Sequence, residues 1–340
     1  MIGIGVIGCG YWGPNLIRNF SDIPGATVVA ICDLDTTCLE RAHAAVPCAI
    51  TTTSAAALIA MPHVDAVAIA TPVSTHFCLA REALRAGKHV LVEKPLVDSS
   101  ESAMRLIDEA AGRNLTLMVD HTFIYSGSVR AVEELIANDG IGDVSYYDAV
   151  RVNLGLFRHD VNVLWDLAVH DLSIIDYLLR KSPCSVSATG AKHVAGGTEN
   201  IAYVTVFFED NLIAHIHANW SSPVKLRQTL IGGTKKMIVC NDLEPVEKVK
   251  IYDSGIEMSD DPDDARRVRI GYRTGAMHAP AIDSTEALRT EALHFIHCIT
   301  HGEKPITDGY AGLRVIRILE AATTSIGLNG APVELARAGS

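Results

Sequence analysis

Residues Ile4 to Gly13 read I-G-V-I-G-C-G-Y-W-G, a short apolar strand that runs directly into Gly8-x-Gly10-x-x-Gly13. Glycines at that spacing leave few folds open. The first permits a tight turn off the strand. The second lets a pyrophosphate approach the backbone, and the third lets the next helix pack close to the sheet. Pro14 follows, and its fixed φ and missing N–H suit a first helical turn. The free N–H groups of that turn, with the positive end of the helix dipole, face an anion held there. Tyr11 and Trp12, between the glycines, join the expected cofactor contacts.

A second strand, Thr27 to Cys32, ends at Asp33. An acid at that distance past the glycines, at a strand's carboxyl end, is placed to hydrogen-bond a ribose 2′-OH. Asp33 would repel a 2′-phosphate, and neither Leu34 nor Asp35 offers a cation to offset it. NAD is therefore expected rather than NADP.

A chain of 340 residues fits two domains better than one. With 48% hydrophobic residues, building a core is no difficulty. The net charge of −11 and the lack of a dense basic stretch argue against a nucleic-acid surface. No apolar run reaches membrane-spanning length. The chain opens directly on its first strand, so no signal peptide is expected. The eight cysteines are scattered, without a C-x-x-C pair, and read as reduced thiols of a cytoplasmic protein.

Up to about His121 strands alternate with amphipathic helices. Strands are expected at Ile2–Ile7, Val28–Cys32, Val64–Ala70, His89–Val92 and Leu115–Val119, with helices such as His76–Ala86 and Ser100–Ala111 between them. Near-continuous apolar strands separated by helices mean a parallel sheet covered on both faces. Beyond Asp120, helices are expected near Ser128–Ala137 and Val161–Leu179. Alternating runs follow at Ser185–Ala195, Ile201–Glu209, Leu212–Trp220, Lys225–Ile231 and Lys236–Cys240. These read as an antiparallel sheet with one packed face and one face free for a partner. An acidic loop, 253–283, precedes closing helices at Glu286–Thr300 and Gly309–Leu328. The expected fold is α/β: a dinucleotide-binding domain over 1–121 with a doubly wound parallel sheet, then an α+β domain over 122–340. The second domain carries a large, mostly antiparallel, open sheet.

The strand His89–Val92 runs into Glu93-Lys94-Pro95. Ligands of open α/β sheets sit outside the carboxyl ends of the strands, so Lys94 is delivered towards the cofactor. Pro95 restricts the backbone of Lys94. A second cluster is Asp166-Leu-Ala-Val-His170-Asp171. On an α-helix Asp166 and His170 are i and i+4 and share a face, where a carboxylate orients an imidazole for proton transfer. Val163, Leu164, Leu167, Val169 and Leu172 supply a core face without needing His170.

The chain resembles the Gfo/Idh/MocA family of nicotinamide-dependent sugar oxidoreductases along essentially its whole length. The matching pieces are Gly8-Cys-Gly10-Tyr-Trp-Gly13, Asp33, Ala70-Thr71-Pro72 with His76, Glu93-Lys94-Pro95, and Asp166-x-Ala-x-His170. The resemblance implies a Rossmann domain followed by an α/β domain whose sheet forms homodimers or homotetramers. It also implies that Thr71, Pro72, His76, Glu93 and Lys94 lie near the cofactor, with Lys94, Asp166 and His170 around a sugar, nucleotide-linked or of an antibiotic pathway, and that the second domain serves substrate binding and assembly. The family pattern D-x-G-x-H-x-x-D is altered: Ala168 replaces the glycine, Ser173 the last acid, and Asp171 directly follows the histidine. A common arginine is also missing from Asp120-His-Thr-Phe-Ile-Tyr125.

Further substrate contacts are expected from Tyr125, Arg151, Arg158 and Asn162, since arginine suits a planar carboxylate or a diphosphate. His215-x-His217 and His294-x-x-His297 have no third ligand of fitting type, so no metal is expected. The expected activity is hydride transfer between NAD and a secondary alcohol carbon. Either Lys94 or His170 could move the proton. Two other readings stay open: NAD-assisted elimination of a glycosidic group without net redox, and a non-catalytic NAD-binding regulator.

Overall fold

The computed structural model describes residues 1–155, 161–258 and 270–336. Its contacts divide the chain into two compact units. The first comprises residues 1–126 and 285–320, the second 127–284 and 321–340.

In the first unit, strands β1 (Ile2–Ile7), β2 (Ala26–Cys32), β3 (Ile50–Thr52), β4 (Ala66–Ile69), β5 (His89–Glu93) and β6 (Leu117–Asp120) alternate with helices. The helices between β1 and β6 are α1 (Gly13–Asp22), α2 (Thr36–Ala45), α3 (Ala55–Ile59), α4 (Val73–Arg85) and α5 (Ser100–Ala111). The strands pair in parallel in the order β3-β2-β1-β4-β5-β6. The strand order reverses between β1 and β4, and the crevice at such a reversal is where open α/β sheets take ligands. β4 is buried at all four positions, as a strand covered on both faces must be. The short β3 was not among the expected strands; with Ile50 exposed and Thr51–Thr52 following, it lacks an apolar run.

The second unit holds α6 (Gly127–Ala137), strand β7 (Val144–Leu154), and a π-helical turn, Leu164–Ala168, that continues into α7 (Val169–Leu179). Strands β8 (Ser185–Ala191), β9 (Ile201–Phe207), β10 (Ile213–Asn219), β11 (Ser221–Gly233), β12 (Met237–Asn241) and β13 (Val249–Tyr252) follow. A separate pair is β14 (Gly255–Met258) with β15 (Ile270–Arg273), and β16 (Met277–His278) and β17 (Val333–Glu334) are two-residue edges. The nine-stranded sheet runs β16-β13-β12-β11-β7-β10-β9-β8-β17. Every described pairing in it is antiparallel except β7 with β10. On β9 and β10, Ala202, Val204, Val206, Ala214, Ile216 and Ala218 are buried, and the residues between them face the other side. The α/β architecture is thus a parallel Rossmann sheet plus a large, mostly antiparallel one.

Two features depart from the sequence reading. Strand β7 lies in the middle of the second sheet, paired on both sides, in a stretch with no expected strand. In place of a single boundary near residue 121, the chain passes between the two units three times, at 126/127, 284/285 and 320/321. Helix α8 (Ala287–His301) returns to the first unit, and the division falls within α9 (Gly309–Gly327). The cause is apolar: Phe295 of α8 meets Phe20 of α1 edge-to-face at 6.2 Å, and Leu288, Ala292 and Phe295 are buried. At the start of α8, Glu286 accepts from the two terminal guanidinium nitrogens of Arg18, at 2.7 and 2.8 Å.

Candidate active site

The glycine turn has the form the spacing predicts. Gly8 stands at φ +97°, a conformation costly for any other residue, and the Cβ of an L-residue there would lie 2.6 Å from the Ala70 carbonyl oxygen. At Gly13 a Cβ would lie 2.0 Å from the Gly8 carbonyl oxygen. At Gly10, by contrast, a Cβ would meet nothing within 4 Å. That open space beside the backbone is what a pyrophosphate needs. Trp12 is the N-cap of α1 and makes no side-chain cap; its carbonyl accepts from the Asn15 and Leu16 N–H groups, at 2.9 and 3.4 Å. Tyr11 is 82% exposed on the same turn. Asp33 follows β2, its Oδ2 accepting from the Cys9 N–H at 2.5 Å and its Oδ1 from the Asp35 N–H at 2.9 Å. The carboxylate is therefore fixed beside the turn, as a ribose contact requires. These features fit a dinucleotide.

The ends of β4 and β5 are joined through one side chain. His76, buried on α4, places Nε2 2.8 Å from the Thr71 carbonyl and Nδ1 2.9 Å from the Pro95 carbonyl. Burial pushes its pKa down. His76 is thus positioned to tie the turn carrying Thr71 and Pro72 to the turn carrying Glu93 and Lys94.

Next to Lys94, the sequence reading passed over His121. It is fully buried just after β6, and burial together with the Lys94 charge lowers its pKa from the ordinary 6.5 to about 3. The imidazole is therefore neutral in the folded protein. Because the folded value lies below the unfolded one, its stability contribution is complete above pH 6.5 and is lost as pH falls towards 3. The expected slope is up to about 1.4 kcal/mol per pH unit. His121→Asn should flatten the decline in unfolding free energy between pH 7 and 5; an identical slope in the variant would show that His121 titrates normally.

In the second unit, Asp166 sits within the π-helical turn rather than on a continuous α-helix. Its Oδ2 accepts from the indole N–H of the buried Trp220 at 3.0 Å. His170 lies in the first turn of α7. The next residue, Asp171, is buried and takes a bidentate pair from Arg151 on β7, at 2.7 and 3.0 Å. Arg151, expected as a substrate anchor, is buried in that pair and joins β7 to α7. Asn162 is a helix cap: its Oδ1 accepts from the N–H groups of Leu164 and Trp165, and its Nδ2 donates to Glu199 at 3.0 Å. Tyr125 is buried in the first unit, its hydroxyl sharing a 3.1 Å hydrogen bond with Thr307. Arg158 lies outside the described residues. So does part of the acidic loop, 259–269. No group of three His, Cys, Asp or Glu side chains placed to hold a metal is found among the described residues. His215 and His217 instead stack on Tyr203, and His215 Nδ1 lies 3.1 Å from Thr205 Oγ1.

A parallel sheet with a glycine turn at its reversal, an acid after β2 and a lysine after β5 defines a nucleotide-binding oxidoreductase. The chain matches the model of the oxidoreductase family with an NAD-binding Rossmann fold over residues 2–121, and that of the GFO/IDH/MocA C-terminal domain over residues 129–239. It belongs to the Gfo/Idh/MocA family. It is similar to the D-apiose dehydrogenase of Paraburkholderia graminis, with 26% identity covering 97% of this chain and 88% of that protein. The UDP-N-acetylglucosamine 3-dehydrogenase of Acidithiobacillus ferrooxidans is 29% identical over 75% of this chain and 77% of its own. The solved structure of GnnA, named as that activity in A. ferrooxidans, superposes with a TM-score of 0.80, covering 96% of this chain and 99% of the other. GenD2 from gentamicin A biosynthesis, solved with NAD, shares the fold at a TM-score of 0.82 and 22% identity.

Proposed function

We propose that this protein is an NAD-dependent dehydrogenase or ketoreductase acting at a secondary alcohol or ketone carbon of a sugar, free or nucleotide-linked. The observation that carries the reading is Lys94 at the carboxyl end of β5, in a sheet whose glycine turn is open at Gly10. Sugar dehydrogenases among the relatives support the substrate class. Bound nicotinamide supplies the redox chemistry. The residues of the chain bind it and handle the proton. Gly8, Gly10 and Gly13 admit the pyrophosphate, Asp33 takes the ribose, and Thr71, Pro72 and Glu93 line the strand ends, with His76 bracing them. In the oxidising direction His170 accepts the hydroxyl proton, Asp166 holds a neighbouring hydroxyl or the imidazole, and the ammonium of Lys94 stabilises charge developing on oxygen.

The test is a screen of nucleotide sugars, free sugars and inositols for a change in reduced-nicotinamide absorbance. Turnover of none of them, or release of free sugar without NADH, would replace the reading. The same assay checks the cofactor. Asp33 leaves a 2′-phosphate facing a carboxylate, so NAD is preferred to NADP by about tenfold or more in kcat/KM, and Asp33→Ser narrows that ratio. Equal use of both cofactors by the unaltered protein would remove Asp33 from the discrimination.

Assembly follows from the second sheet. Tyr203 on β9 and Leu226 on β11 are exposed apolar residues on a sheet whose other face is packed, and we read the open face as the contact with a second copy. Light scattering reporting a monomer at micromolar concentration would refute it. We place the protein in the cytoplasm because its cysteines are all free thiols. No helix among the described residues is long and apolar enough to cross a membrane.

A further inference from the structure

The glycine turn is tied to the far side of its own sheet. The indole N–H of Trp12 donates to Asp120 Oδ2 at 2.8 Å, across a sequence separation of 108 residues. Trp12 follows β1, whereas Asp120 ends β6, and β4 and β5 stand between them in the sheet. Three strand spacings amount to about 14 Å. The hydrogen bond therefore draws the turn's aromatic ring across the carboxyl ends of β4 and β5, over the edge that carries Thr71 and Lys94.

The acceptor is built for the purpose. Asp120 is almost fully buried, and its second oxygen accepts from the Thr122 hydroxyl. Behind it stands Glu291 of α8, fully buried against Asp120 and Thr122. Burial, and then the Asp120 carboxylate, push the Glu291 pKa well up, which disfavours a second charge beside the acceptor. A buried carboxylate that receives an indole N–H and a hydroxyl holds both donors more firmly than a neutral acceptor would.

We propose that Asp120 is a positioning residue for the dinucleotide, acting through the Trp12 indole to hold the glycine turn in its receptive form and to wall the nicotinamide end of the crevice. This rests on the NAD reading above. Trp12→Phe keeps an aromatic ring and deletes the N–H. Its expected effect is a rise of about tenfold in the dissociation constant for NADH, read from nucleotide fluorescence. KM for NAD should rise by a similar factor and by more than kcat falls, with the thermal midpoint little changed. Asp120→Asn keeps an oxygen for the indole and should retain most of the affinity, while Asp120→Ala should match Trp12→Phe. The double variant Trp12→Phe/Asp120→Ala should bind no more weakly than either single one, because both changes break the same link. Wild-type affinity in Trp12→Phe, or a double variant weaker by the product of the two single effects, would overturn the latch alone. Failure of the unaltered protein to bind NADH would overturn the latch and the dinucleotide reading together.

Discussion

Lys94→Ala lowers kcat by about two to four orders of magnitude while NADH binding stays within a few fold of the unaltered protein. The lysine stands at the end of β5, next to the glycine turn's side of the sheet, and no second lysine or arginine flanks it in sequence. His121 beside it cannot substitute as a cation, because it is held neutral down to about pH 3. Removing Lys94 therefore leaves the oxygen of the reacting carbon without its cation. Lys94→Arg should recover little: the guanidinium is charged but planar and bulkier, and it spreads its charge over three nitrogens where the lysine presents one compact ammonium. Steady-state rates with a turned-over sugar, set against NADH titration of the same variants, measure the split. Unchanged turnover in Lys94→Ala would take the residue out of the chemistry and leave His170 with Asp166 as the only acid–base set.

Breaking the pair of Arg151 and Asp171 should cost about 3 to 5 kcal/mol of stability in the second unit. Both side chains are buried, with side-chain exposures of 4% and 1%, and the pair is bidentate. Arg151→Met leaves the carboxylate of Asp171 in the interior without its cation. The double variant Arg151→Met/Asp171→Leu removes both charges, and its stability should return to within about 1 to 2 kcal/mol of the unaltered protein. Chemical denaturation followed by tryptophan fluorescence reads both values. A single variant that costs no more than a surface substitution, about 0.5 kcal/mol, would show that the pair is not a structural clamp. Because Asp171 adjoins His170, the single variant should also lose activity beyond what its unfolded fraction explains.

Much of the candidate site was legible because its signals are local. The glycines, Asp33 and Glu93-Lys94-Pro95 each sit at a strand end, and strand ends can be read from a short apolar run and the residue that stops it. The helix Ser100–Ala111 was read to the residue for the same reason: Ser99 caps it and Gly112 closes it. Strand β7 was not legible. Arg151 and Asn153 within it look like surface or site residues, and the burial of Arg151 is possible only because Asp171 comes from another element. The turn that carries Asp166 was hidden for a related reason. A π-helical turn leaves no trace in an apolar pattern, and Asp166 is held by Trp220, far along the chain.

By itself, then, the amino-acid order determined the Rossmann unit, its preference for a dinucleotide, and the lysine at the strand end, since each depends on backbone geometry within a few residues. Folding in three dimensions decided which polar groups became partners: Arg151 with Asp171, His76 with two carbonyls, Trp12 with Asp120 and Glu291 behind it. A buried polar group must find its partner wherever the packed elements bring one, and one-dimensional spacing does not encode that distance.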